Sequence, residues 1–194
     1  MNLPNKITMS RVLTVPLFML FIVPFPEGVL CAPVQEFLSR YGQYIAAAIF
    51  IISSSTDGVD GYIARKRKLI TNFGKFLDPI ADKMLVTAAL VALVQRNELS
   101  AWVAVIIIGR DLIVTGLRLV AAAEGVVLAA SIWGKIKTTS QMIAIVAILL
   151  DNFPLNYVTD LDFGLYAMII AVIATIYSGI DYIRKNINIL DYNK

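Results

Sequence analysis

The chain has 194 residues, 58% of them hydrophobic and 16% charged, with a mean hydropathy of +0.75 and a formal net charge of +3. That is too apolar for a water-soluble domain of this length, where about 45–50% apolar is usual. A single cysteine, Cys31, excludes an intramolecular disulfide, and the absence of histidine leaves any proton transfer to a carboxylate, lysine, tyrosine or water.

Runs of about 20 mainly apolar residues can cross a bilayer as helices. The pattern therefore predicts an all-α polytopic membrane protein. It forms a single domain over residues 1–194, with six transmembrane helices behind an N-terminal interfacial segment. Asn2 to Arg11, polar and containing Pro4, is the interfacial segment. Val12 to Phe25 is the first span, closed by Pro24 and Pro26. A signal peptide is the competing reading, because Lys6 and Arg11 precede an apolar run. No small-x-small cleavage pattern follows, and Cys31 is preceded by Leu30, so the span is kept. Pro26 to Gly42 reads as a connection. Further spans are expected at about Tyr44–Lys66, Phe73–Val94, Trp102–Ala123, Lys135–Leu150 and Phe163–Ile183, with a polar tail beyond.

Lysine and arginine placement sets the orientation. With the amino terminus inside, the cytoplasmic side receives Lys6, Arg11, Arg65 to Lys68, Lys135, Lys137, Arg184, Lys185 and Lys194. The outer side receives only Arg40 and Arg96. Six spans put both termini in the cytoplasm, and a multi-pass protein of the plasma membrane is expected.

Charges also lie inside the apolar stretches. Asp57 and Asp60 are i,i+3 on the second helix and so are surface neighbours. Gly74, Asp78 and Asp82 are i, i+4 and i+8, on one face of the third. Four carboxylates so close cannot all stay ionised unaided. Hard divalent cations, which prefer oxygen ligands, relieve the repulsion. At about 1.5 Å per residue, Asp57 lies about 13 Å from Lys66, Asp82 about as far from Phe73, and Arg110 about 20 Å from Ala123. Intramembrane charges at such depths mark function. They predict a polar cavity open to the cytoplasm. Its acidic wall would come from the second and third helices. Its basic wall would come from Arg110, Arg118 and Lys135, with Lys137 a further candidate. Divalent ions beside fixed cations suit phosphate chemistry. The bland readings are helix packing for Gly61, Ala64 and Gly74, a self-neutralising pair for Arg110 and Asp111, and snorkelling for Arg118 and Lys135.

The spacing D-x2-D-G-x2-A-R-x8-G-x3-D-x3-D is filled by Asp57, Asp60, Gly61, Ala64, Arg65, Gly74, Asp78 and Asp82. It resembles the signature of the CDP-alcohol phosphotransferase family at every fixed position. The resemblance implies a six-helix membrane enzyme, homodimeric, using two magnesium or manganese ions. It implies that Asp57, Asp60, Asp78 and Asp82 hold the metals, with Asp82 also the general base. Thr8, Asp57, Gly61, Ala64, Arg65 and Gly74 would contact the CDP-lipid. The stretches Gly109 to Arg118 and Trp133 to Thr138 resemble the subfamily that forms phosphatidylglycerophosphate. The implied partners are CDP-diacylglycerol, glycerol 3-phosphate and membrane lipids. Arg110, Arg118 and Lys135 would hold the acceptor phosphate, and no nucleic-acid partner is expected. Serine or an inositol phosphate as acceptor, and a cation transporter using the aspartates as a pathway, are the competing readings.

Overall fold

The computed structural model describes residues 3–26, 28–67, 72–123, 125, 132–153, 156 and 161–186. Of these, the side chains of residues 3–8, 56–67, 72–79, 82, 123 and 186 are outside the description. The described residues form six α-helices and no strand. They are α1 (Leu3–Ile22), α2 (Ala32–Arg67), α3 (Asn72–Gln95), α4 (Ala101–Ala123), α5 (Ile132–Leu149) and α6 (Phe163–Asn186). The all-α expectation holds. The chain divides into two compact units, Met1–Leu99 and Ser100–Lys194.

In the first unit α1 packs against both α2 and α3. Phe18, Ile22, Phe50, Ala81, Leu85 and Leu90 are buried there. Phe18 and Phe50 meet in a tilted ring pair 6.2 Å apart. A Cβ at Gly42 would collide with the Phe21 carbonyl oxygen, so only glycine allows α2 to pass α1 this closely. Two expectations change here. The residues expected as an interfacial segment and a first span lie on one continuous helix, since Pro4 falls in the first turn of α1, where a missing N–H costs nothing. The expected connection from Pro26 to Gly42 is helical from Ala32 onward. Pro33 sits in the first turn of α2, and the Cys31 carbonyl accepts the Val34 and Gln35 amides at 3.0 and 3.1 Å. At 36 residues, α2 is about 54 Å long, well beyond the roughly 30 Å of a bilayer's hydrocarbon.

The first unit ends in a tight helix stop. Asn97 takes a left-handed φ of 61°, and the Leu93 carbonyl accepts the Glu98 and Leu99 amides at 3.0 and 3.2 Å. Arg96 braces this end. Its Nε donates to Glu98 Oε1 at 2.8 Å, its Nη2 to Gln43 Oε1 at 2.6 Å and its Nη1 to the Ile22 carbonyl at 3.5 Å.

In the second unit α6 packs along α5 and against α4. Asp162 caps α6: its Oδ1 accepts the Leu165 amide at 3.0 Å and Asn152 Nδ2 at 2.9 Å. The faces of α6 are inverted relative to a helix in water. Its buried side carries Ala167, Ala171, Ala174, Thr175 and Ser178, while Leu165, Ile169, Ile170, Ile173, Ile176 and Ile180 are exposed. Small and hydroxyl residues inward with branched aliphatics outward is the pattern of a helix whose solvent is hydrocarbon. Among the described residues, Phe163–Lys185 is the one helix long and apolar enough to cross a membrane by length and composition. On α4 the apolar run is interrupted by Arg110, Asp111 and Arg118.

Candidate active site

The acidic motif lies on two helical stretches, Asp57 to Arg65 on α2 and Gly74 to Asp82 on α3. Helical backbone at both makes the i,i+3 and i,i+4 spacings real ones: each aspartate pair follows one side of its own helix. The side chains of Thr8, Asp57, Asp60, Gly61, Ala64, Arg65, Gly74, Asp78 and Asp82 lie outside the described residues. Among the described residues, no cluster of three or more metal-ligating side chains occurs. The donor set of the motif still fits a hard divalent cation: four carboxylates and neither sulfur nor imidazole.

One pocket of the first unit is distinct from that motif. About 120 Å³ in volume, it is lined by Phe21, Pro24, Phe25, Leu38, Ser39 and Arg96 among others. Ser39 lies 18 residues before Asp57 on α2, about 27 Å along the helix, so this pocket belongs to the other end.

The second unit gathers a polar network in an apolar surrounding. Lys137 on α5 is 2% exposed, and its Nζ lies 2.7 Å from both oxygens of Asp111. Arg110 Nη1 reaches the same carboxylate at 3.3 Å, so one anion serves two cations. Arg110 Nη2 donates to Ser178 Oγ on α6 at 2.9 Å. A Cβ at Gly179 would lie 3.1 Å from Arg110 Cγ, so the glycine leaves room for the arginine stem. Arg110 Nε and Gln141 Nε2 are buried with no acceptor. An orphaned buried donor is costly, and an incoming oxygen would satisfy it.

Eight residues further along α4, Arg118 is exposed and has a different kind of partner. Its Nε donates to the Tyr182 hydroxyl at 3.1 Å, and its Cζ stands 5.3 Å from the Tyr182 ring centre. Lys135 is exposed near the start of α5. Beside it, Trp133 meets Tyr177 edge-on at 4.6 Å.

The three basic residues expected from the sequence thus have three settings: Arg110 in a shared ion cluster, Arg118 against a phenol, Lys135 at the surface. The self-neutralising reading of Arg110 and Asp111 is half of the picture, because the nearer partner of Asp111 is Lys137. Lys137, a candidate for the basic wall, is buried and bound to a carboxylate instead. Ser178 and Tyr182 are additions from the structure. Their signal in the sequence is a hydroxyl stripe at Thr175, Ser178 and Tyr182, i, i+3 and i+7 on one face of an apolar helix.

Six helices among the described residues, an outward aliphatic face on α6 and the acidic motif on α2 and α3 define a class. The chain belongs to the CDP-alcohol phosphatidyltransferase family, whose profile matches residues 1–177. It is similar to the CDP-diacylglycerol–glycerol-3-phosphate 3-phosphatidyltransferase of Bacillus subtilis strain 168, at 50% identity over 186 residues covering 95% of each chain. Proteins of the same name are similar in Haemophilus influenzae, at 36% over 94% of this chain and 92% of the relative, and in Pseudomonas fluorescens, at 37% over 95% and 89%.

Proposed function

We propose that this protein is an enzyme that transfers the phosphatidyl group from CDP-diacylglycerol to sn-glycerol 3-phosphate, giving phosphatidylglycerophosphate and CMP. The observation that carries this reading is the complete eight-position motif on α2 and α3 in a chain 50% identical to a relative of that activity. The family profile runs through both compact units, which supports treating residues 1–194 as one working domain.

In this mechanism Asp57, Asp60, Asp78 and Asp82 hold two magnesium or manganese ions. When bound, such ions supply charge neutralisation to a diphosphate and its leaving group. Thr8, Gly61, Ala64, Arg65 and Gly74 bind the CDP moiety, the small residues letting it approach the helix backbone. Arg110, Arg118 and Lys135 bind the acceptor phosphate; the orphaned Arg110 Nε supports this role. Asp82 accepts the proton of the primary hydroxyl of glycerol 3-phosphate as that oxygen bonds to the lipid-side phosphorus. The bond from that phosphorus to the bridging oxygen breaks, and CMP leaves with the bridging oxygen. Orientation and electrostatic stabilisation supply most of the rate, as in other phosphoryl transfers.

The protein works as a homodimer in the plasma membrane, crossing it six times with both termini and the site on the cytoplasmic side. The charge distribution and the aliphatic exterior of α6 support that placement. The test is CMP release from CDP-diacylglycerol by purified protein, with glycerol 3-phosphate, serine and inositol phosphate as acceptors, with and without magnesium. Release that depends on glycerol 3-phosphate and magnesium is expected. Asp82→Asn is expected to lose turnover while still binding CDP-lipid. Preferential turnover with a neutral acceptor would reject the acceptor assignment, and an active Asp82→Asn would remove its role as base.

A further inference from the structure

An exposed arginine is a poor anion ligand until something fixes its guanidinium, because a long side chain loses rotamer freedom on binding. Arg118 is exposed, yet its guanidinium is already fixed from one side. The Tyr182 hydroxyl accepts its Nε at 3.1 Å, and the Tyr182 ring lies 5.3 Å from its Cζ. Tyr182 is 3% exposed on α6, so the packed interior of the second unit immobilises the phenol. A carboxylate in its place would hold Arg118 as firmly. It would also cancel the charge and take two donors of the fork. A phenol uses Nε and the ring face and adds no anion, so the Nη1 and Nη2 groups remain for a ligand. Among the described residues no carboxylate pairs with Arg118. One turn earlier on α6, the hydroxyl of Ser178 serves Arg110 Nη2 in the same neutral manner.

We propose that Tyr182 is a positioning residue for acceptor recognition: held rigid in the second unit, it presents the free donors of Arg118 to a phosphate monoester and so favours a phosphorylated alcohol over a neutral one. This rests on the reading of Arg118 as an acceptor ligand. Tyr182 never touches the substrate, and its whole effect passes through the arginine.

The experiment is steady-state kinetics of the full-length enzyme in detergent–lipid micelles. Tyr182→Phe keeps the ring and removes the accepting hydroxyl. Its KM for glycerol 3-phosphate should rise roughly tenfold, the scale of one lost hydrogen bond to a charged group. Its kcat and its KM for CDP-diacylglycerol should stay within about twofold, since only acceptor binding is weakened. On an Arg118→Ala background, Tyr182→Phe should add nothing, because the partner it acts through is gone. An unchanged acceptor KM in an otherwise active Tyr182→Phe enzyme overturns the positioning role. So does an equal rise for both substrates, or the same tenfold rise on the Arg118→Ala background. If Tyr182→Phe loses its melting transition, Arg118→Lys carries the test. A lysine has no Nε for the phenol to hold, so the acceptor KM should rise alike; an unchanged value overturns the proposal. A wild type that releases no CMP with glycerol 3-phosphate sinks the functional reading and this proposal together. Normal wild-type turnover with a silent Tyr182→Phe sinks the positioning role alone.

Discussion

Arg110 and Arg118 share a helix and stand eight residues apart, but their partners differ in charge. Arg110 shares the carboxylate of Asp111 with Lys137 and donates to Ser178. Arg118 has the hydroxyl and ring of Tyr182. The first arrangement offsets charge where the side chains are buried and ties α4, α5 and α6 together, leaving Arg110 only Nε without an acceptor. The second fixes an arginine without neutralising it, and its product is an available cation. The charge of its partner therefore sets how much of a basic residue's own charge is left for a ligand.

Removing Asp111 should break that contrast most severely. Asp111→Ala leaves two cations, Arg110 and the 2%-exposed Lys137, without their anion. Stranding buried charges costs about 3–5 kcal/mol, which lowers the melting midpoint by roughly 10 °C in a chain of this size. Lys137→Ala should fall at the lower end of that range, because Arg110 still lies 3.3 Å from the carboxylate. Thermal melts in detergent decide this. Equal melts for Asp111→Ala and wild type would mean that the cluster is wet or otherwise compensated.

Arg118→Ala should do the reverse, sparing the fold and weakening acceptor binding. Losing a charge-assisted contact to phosphate costs about 1.5–3 kcal/mol, or roughly 10- to 100-fold in the acceptor KM. Lys135→Ala should act in the same direction more weakly, since a lysine offers a point charge and no fork. The melting midpoint and the KM for CDP-diacylglycerol should hardly move. A matched rise in both KM values would place Arg118 outside acceptor recognition.

Much of this was legible in the sequence, though unevenly. The six helices follow from apolar runs broken by charge, and the motif from Asp57 to Asp82 carries the family by its spacing. The helix starts were harder to read. Pro4 and Pro33 look like breakers in a sequence but sit in first turns, where proline is accommodated. Partner choice was harder still. Lys137 lies 26 residues from Asp111, and Tyr182 lies 64 from Arg118; only the packing of α5 and α6 brings them together. The adjacency of Arg110 and Asp111 suggested a simple pair because neighbours in sequence are visible and neighbours in space are not.

Arg96 sharpens the comparison at the small end. It too has a carboxylate partner, Glu98 at 2.8 Å, and two further acceptors in Gln43 and the Ile22 carbonyl. The geometry is better than that between Arg110 and Asp111, yet the pair is a quarter exposed on each side, 25% and 27%. Water screens such a pair and would solvate either partner left alone, so its ion-pair contribution is within about 1 kcal/mol. Arg96→Ala should lower the melting midpoint by about 2–4 °C and leave both KM values unchanged. If Arg96→Ala were instead as damaging as Asp111→Ala, burial would not be what separates the two carboxylate-paired arginines. The brace joining α1, α2 and the end of α3 would then have to be ranked with the buried cluster as a main support of its unit.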